Sequence, residues 1–269
     1  MFPNSQLKSD RQKVVIVVDS AASLPKTDLS DLVKIVPMQL IIGSKTFQDG
    51  IDISSDEFYR ILPTTNPLPS TAAPSPSSYL DAFRMASEIS NQVLCITVSS
   101  NFSSSYKSAE NAIAIAKNEF PETDIRLIDS EAAAGSEGLV VLAAVRAANI
   151  GAPIDKVYLA ASNVIEKVYL LAYLDTLYYA WKSGRIPRIA YAGATLLNIK
   201  PMLQMFRGEV TNVAKPRTRE KANKMMLSLM SEHIGNNAAN ICVMHGNNID
   251  NARLLVQHIE KKFDCKELY

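Results

Sequence analysis

Apolar residues recur along this chain in two rhythms. Short, mainly apolar runs appear at Val14–Val18, Val93–Val98 and Ile125–Ile128. Runs of that length read as strands buried on both faces. Between them, apolar residues return at three- and four-residue steps, as in Ala109, Ala112, Ile113, Ala116 and Phe120. That spacing is the mark of a helix packed on one side. Tyr79–Ser90 reads as helix too. So does the alanine-rich Glu131–Asn149, where Gly135 and Gly138 permit close packing. Strands alternating with helices predict an α/β fold whose first domain is an open, mostly parallel sheet with flanking helices. Gly151-Ala-Pro153 breaks the pattern. It separates a predicted N-terminal α/β domain, 13–151, from a C-terminal α/β domain, 152–269.

Finer features follow the same logic. Ile35–Ile42 is extended and apolar, with Pro37 favouring an edge position. Gly43-Ser44 turns the chain into a returning strand, Lys45–Asp49. Ser54 and Glu57 stand at capping-box spacing ahead of a helix. Pro63–Pro76 carries five prolines and cannot be helical. By composition it reads as a linker; flanked closely by helical patterns, it reads at least equally well as an ordered binding loop within a domain. In the second half, Ile154–Glu166, Arg219–Ile234 and Ile249–Lys262 read as helices, and Thr176–Trp181 as a short one. Val168–Leu174 and Asn240–Met244 read as strands. Arg207-Gly208 joins Ile199–Phe206 to Glu209–Val213 as a hairpin. Residues 1–12 are polar and form a loose leader.

Three apolar runs end in small polar residues: Asp19-Ser20, the loop Ser99–Ala109, and Asp129-Ser130. In open α/β sheets ligands bind beyond the carboxyl ends of the strands, so these ends are expected to converge on one site. The middle loop holds six serines in eleven positions. A serine caps free N–H groups at a helix start, and a helix N-terminus favours anionic groups. The residues alone leave two readings open, a capped polar turn and an anion site.

Composition narrows the function. The 28 Lys and Arg nearly balance 27 Asp and Glu, which argues against a nucleic-acid surface. The 47% apolar content suits a globular core. Cys95, Cys242 and Cys265 lie far apart and form no metal or disulfide spacing. That usage suits a reducing cytosol, so a cytoplasmic location is expected. No run approaches a membrane span. There is no glycine-rich phosphate loop and no Gly-x-Ser-x-Gly elbow. Of three histidines, only His245 stands at a strand end. A triad can be drawn from Ser103, His245 and Asp19 or Asp129, which keeps a serine hydrolase of lipid-like esters as the alternative function. A chain rich in hydroxyls and poor in bases reads more readily as a binder, with no catalytic residues and no metal.

Taken together, these stretches resemble the DegV-like family of fatty-acid-binding proteins, which includes the carrier subunits of bacterial fatty acid kinase. Asp19-Ser20 looks like the family's opening strand end. Val36-Pro-Met and Phe47-Gln-Asp-Gly resemble its second block. Ser70-Thr-Ala-Ala-Pro-Ser75 is similar to its Thr-Ser-Gln-Pro-Ser loop. Ser99–Ala109 is similar to its Ser-Ser-x-Leu-Ser-Gly-Thr-Tyr-Gln-Ser-Ala loop. Leu174-Asp-Thr-Leu177, Gly184-Arg-Ile186, Leu197–Met202 and Pro216–Ala222 match later blocks, in family order.

The resemblance implies two α/β domains with a long-chain fatty acid in an apolar tunnel in the cleft between them. Its carboxylate would meet Thr71 and Ser103, with Ser99, Ser100 and Ser105 nearby. Arg185 falls at the family's Gly-Arg-Ile arginine, and His245 at a histidine common at that strand end. Arg217 falls at the arginine linked to the kinase partner. No cofactor, nucleic acid or integral membrane association is implied; the partners are the fatty acid and a kinase subunit. Three departures stand out. Ala72 and Ala73 replace Ser-Gln. Ser104 replaces a glycine. The family's closing His-x-Gly-Pro-Gly segment is not found before Tyr269, so either the sequence is truncated there or the head-group site lacks that part.

Overall fold

Strand β1, Val15–Asp19, is buried along its whole length. Such a strand needs partners on both edges and helices on both faces. The computed structural model, which describes residues 13–24, 31–185 and 199–269, supplies them. β1 pairs in parallel with β2, Val33–Val36, and with β6, Gln92–Thr97; β6 pairs in turn with β7, Asp124–Asp129. The sheet order is therefore β2-β1-β6-β7. The chain leaves β1 toward one edge and returns through β6 toward the other. That reversal places a topological switch point between β1 and β6, where α/β sheets open a crevice.

Helices α2, Pro76–Ile89, and α3, Ser105–Glu119, pack together. So do α4, Gly135–Asn149, and α5, Ile154–Ile165. Their apolar stripes close the core around Tyr79, Phe83, Ile16, Leu94 and Ile96, all fully buried. Gly138 suits this packing, because a Cβ there would crowd the Ala22 carbonyl oxygen at 3.0 Å.

Between β2 and α2 the chain builds a small antiparallel sheet, β4-β3-β5. Its strands are β3, Gln39–Ile42, β4, Lys45–Gln48, and β5, Ser70–Ala72. The extended run predicted over Ile35–Ile42 is thus two strands in two sheets. Pro37 cannot donate to a ladder, and the break falls at Pro37-Met38. Helix α1, Ser55–Ile61, starts where Ser54 Oγ accepts the Glu57 N–H at 3.2 Å.

The chain divides into two units, Met1–Val168 and Tyr169–Tyr269. Helix α5, which the 151–153 break assigns to the C-terminal half, lies in the first. Ile154, Val157 and Ala161 join the first core, and the Ile154 N–H donates to Gln92 Oε1 at 3.0 Å.

In the second unit, β8, Leu170–Tyr173, β9, Met202–Phe206, and β10, Glu209–Ala214, form an antiparallel sheet in the order β10-β9-β8. The hairpin turn is Arg207-Gly208, with φ 49° and 73°, the positive values that a two-residue hairpin favours. Short helix α6 spans Tyr178–Lys182, α7 spans Arg219–Ile234 and α8 spans Ile249–Lys262. Thr218 and Asn248 cap α7 and α8. Strand β11, Ala239–Ile241, pairs in parallel with β12, Cys265–Leu268. The core here is Met202, Ala222, Met226, Ile241, Leu255 and Ile259. Among the described residues no helix is long and apolar enough to cross a membrane, and no acidic, histidine or cysteine cluster could hold a metal ion.

Candidate functional site

The parallel register aligns the polar strand ends. Thr97 pairs with Asp129, and Asp19 lies one step beyond the Val18–Ile96 pair. Asp19, which follows five valine and isoleucine residues, has no exposed surface. A buried carboxyl must be satisfied by donors. Asp19 accepts from the Val98 N–H at 3.0 Å, the Ala21 N–H at 3.1 Å and the Tyr79 hydroxyl at 3.3 Å. Burial pushes its pKa up, and these bonds oppose the rise. One carboxyl thereby ties the turn after β1, the end of β6 and the start of α2.

The serine loop is built on that anchor. Ser99 is buried; its Oγ accepts the Asn101 N–H at 3.3 Å and its carbonyl accepts the Phe102 and Ser103 N–H groups. The Ser100 N–H donates to both Asp129 oxygens at 3.2 Å. Ser103 Oγ lies 2.9 Å from Ser105 Oγ and accepts the Ser105 N–H at 3.2 Å. Ser105 is fully buried and reaches both Asp19 and Tyr79. The N-cap residue of α3, Ser104, makes no side-chain cap; Ser103 serves instead. Ser103 and Ser100 keep accessible surface, whereas Ser99 and Ser105 are turned inward.

A second polar element joins through Met38. Its N–H donates to Ser20 Oγ at 3.0 Å, and Ser20 donates to Asp49 Oδ2 at 2.7 Å. Met38 Sδ receives the Ser105 hydroxyl at 3.8 Å. Met38 directly precedes β3, whose Leu40 pairs with Thr71 of β5. Thr71 is exposed on that short strand. The small sheet and the serine loop therefore meet at the carboxyl ends of β1 and β6.

Beneath lies Glu137, in the first turn of α4. It has no exposed surface, and neither carboxyl oxygen has a hydrogen-bond partner. Burial, with Asp19 and Asp129 nearby, raises its pKa well above the ordinary value. The Thr97 hydroxyl is also buried without a partner.

The remaining predicted residues belong to the second unit. Arg185 is exposed and donates to the Ser183 carbonyl at 2.6 Å. His245 is exposed, and its Nδ1 accepts the Asn248 N–H at 3.2 Å. Arg217 is exposed in the turn before α7. Ile186, Arg188, the stretch 191–198 and the leader 1–12 lie outside the described residues. All three histidines fall in the second unit. The Ser103 hydroxyl bonds to another serine, and Asp19 is committed to three donors.

Sequence reading singled out the serines but passed over Tyr79, Asp49 and Glu137. Tyr79 and Glu137 each stand in the first turn of a helix after a polar loop at a strand's carboxyl end. That placement was the available signal.

Comparison with known proteins gives one family. The profile of a group described as "Uncharacterised protein, DegV family" matches residues 13–269. A DegV domain-containing protein of Clostridium perfringens is 30% identical over 262 residues, 96% of this chain and 90% of that one. The crystal structure of a fatty acid (stearic acid)-binding protein from Eubacterium ventriosum superposes with a TM-score of 0.86 at 28% identity, covering 94% of this chain and 88% of the other. The Streptococcus pneumoniae Fatty Acid Kinase (Fak) B3 protein, solved loaded with linoleic acid, shares the fold at TM-score 0.84 and 23% identity, over 95% and 92% of the two chains. With a match running from residue 13 to the end of a fold shared at this level, the chain belongs to the DegV family.

Proposed function

We propose that this protein binds a long-chain fatty acid, with the head group at the serine loop and β5. The observation that carries the reading is the hydroxyl cluster at the switch point of a sheet shared with a stearic acid-binding protein 28% identical. Thr71 and Ser103 present accessible hydroxyls from separate elements. Ser99, Ser100 and Ser105 hold the loop in place. Each buried methylene of an acyl chain contributes about 0.8 kcal/mol, so few polar contacts suffice for tight binding. Arg185 and His245 are assigned to the same ligand by the family motif.

The finer reading is that of a carrier, a non-catalytic subunit presenting the acyl carboxyl to a separate kinase through Arg217. The Fak B3 likeness supports the fold of such a carrier. The reading is that of a binder: Ser103 Oγ bonds to Ser105 Oγ and not to a histidine.

Native mass spectrometry and lipid extraction of the purified protein should yield a fatty acid. Delipidated protein should gain thermal stability on adding one, since a ligand specific to the native state stabilises it. Protein that is repeatedly empty and indifferent to added fatty acids would overturn the reading.

A further inference from the structure

The first turn of α4 holds a carboxyl that nothing answers. Gly135, Ser136, Glu137 and Gly138 are all buried there. Both Glu137 oxygens lie in the interior without a hydrogen-bond partner. The charges that reach them are Asp19, at the end of β1, and Asp129, at the end of β7. Glu137 acts in turn on Tyr79 of α2 and Cys95 of β6. All four of these groups ionise to anions, so none compensates a charge on Glu137. Helix α5 packs against α4 and buries Ile154, Val157 and Ala161, while its Asp155, Lys156 and Tyr158 are exposed. The turn Ser20–Ala22, which α4 also touches, carries no acid or base, and Gly138 lies close to its Ala22 carbonyl oxygen.

The same turn is the far end of a strap that carries the serine loop. Residues 130–134 lead from β7 into α4. The Ser99 N–H donates to the Ala132 carbonyl at 2.8 Å, and the Ser130 N–H donates to the Thr97 carbonyl at 3.1 Å. The Ser130 hydroxyl donates to the Ala132 carbonyl at 3.3 Å. Glu131 and Ala134 stand at φ 49° and 54°, values that residues with a side chain hold only where their surroundings impose them. We infer that Glu137 is a proton-held latch on the serine loop. While the carboxyl keeps its proton, the first turn of α4 stays seated and the strap holds Ser99; when the proton leaves, that turn opens and the loop is released. A charge with no donor and no cation must reach water. β1 and β6 are buried strands paired on both edges, so the helix end is the cheaper element to open, and its strained leader relaxes as it does. Burial and the two carboxyls hold the Glu137 pKa well above its ordinary value, which puts the release on the alkaline side. The latch belongs to the first unit alone and stands whatever the loop binds.

The test is amide hydrogen exchange on delipidated full-length protein at pH 6.5 and pH 9, with rates corrected for the intrinsic pH dependence of exchange. In the wild type, peptides covering 99–104 and 130–138 should lose protection by about tenfold or more at the higher pH, while β6 and α7 keep theirs. Glu137→Gln preserves the size of the side chain and cannot ionise, so both segments should stay protected at both pH values. Loop protection in the wild type that falls no further than that of β6 overturns the latch, and this comparison decides even if the variant does not fold. A folded Glu137→Gln variant whose loop loosens with pH as the wild type's does also overturns it.

Discussion

The two sheets of this protein make opposite use of burial. In the first unit, every residue of β1 is buried, and so is every residue of β6 after Gln92. In the second, no residue of β8 or β10 is fully buried, and two methionines anchor a smaller core. A strand covered on both faces leaves no water for a polar atom at its end, so such an atom is costly unless it finds a protein partner, as Asp19, Ser99 and Ser105 do and the Thr97 hydroxyl does not. Asp19 and Ser105 bond to each other, and Ser99 bonds to its own loop. Half-buried strands impose no such demand, and the charged loops around them stay exposed, as Arg185, Arg217 and His245 do. The contrast sets a buried, hydrogen-bonded polar cluster in the first unit against exposed, solvated side chains in the second.

The hardest blow to this contrast would come from the cores. Phe83→Ala removes a fully buried ring from the first unit and should cost about 3–5 kcal/mol. Met226→Ala, at 7% exposure in the second unit, should fall at the lower end of the roughly 2–5 kcal/mol range for such changes, since methionine-lined sites adapt. Equilibrium urea unfolding decides it. A Met226→Ala loss equal to that of Phe83→Ala would dissolve the distinction. Next in size are the head-group hydroxyls. Ser103→Ala and Thr71→Ala should each weaken fatty-acid binding by about tenfold or more, in line with roughly 1.5–3 kcal/mol for a hydrogen bond to a charged group and somewhat less for a neutral one. Wild-type affinity in both single variants would remove the assignment.

The pH dependence of stability sharpens the comparison, because the units carry opposite signs. Glu137 has its folded pKa raised above the ordinary 4.5, by burial first and nearby carboxyls second. The unfolded chain ionises first, so the first unit loses stability as pH rises above that value. Asp19 has the same sign. Asp175, in the second unit, bonds to Arg219 at 2.9 Å and to Lys200, which lower its pKa from 3.8. Its contribution is present above that value and is lost as pH falls below it. Urea midpoints between pH 5 and 9 should fall less steeply in Glu137→Gln than in wild type. Asp175→Asn should flatten only the acid limb, and by less, since this pair is largely solvated. Parallel curves for wild type and Glu137→Gln would mean that the carboxyl does not titrate as its burial requires.

Local signals carried much of this architecture in the sequence. Helices α7 and α8 run over the predicted spans because Thr218 and Asn248 cap them, and caps are short-range features. The buried strands declared themselves as apolar runs. Other features depend on contacts that no window contains. Residues 131–134 stay out of α4, since Asp129 and Ser130 side chains take the Glu131 and Ala132 N–H groups and Ala134 has φ 54°. β12 went unread because its four residues, with Lys266 and Glu267, make no apolar run; parallel pairing to β11 defines it. The serines of the site were legible as composition. Their anchor was not, because Asp19 meets Tyr79 and Val98 across 60 and 79 residues. Partner choice at that distance is set by register and helix packing.

The smallest expected effect is at Arg217, and it tests the other side of the contrast. The side chain is exposed in the turn between β10 and the Thr218 cap. Lys215 precedes it, and Arg219 follows, held by Asp175. Such a turn presents local positive charge on a chain of net charge +1. Exposed substitutions away from caps and cores usually change stability by less than about 0.5 kcal/mol. Arg217→Ala should therefore leave both the urea midpoint and fatty-acid affinity at wild-type values. If this turn docks an acidic kinase surface, the same variant should slow acyl phosphorylation by a cognate kinase, most strongly at low salt, because rim charges act on association rate. Phosphorylation at the wild-type rate at both low and moderate salt would leave Arg217 a solvated surface residue. A drop in fatty-acid affinity would instead make Arg217 a part of the ligand site and not a docking residue.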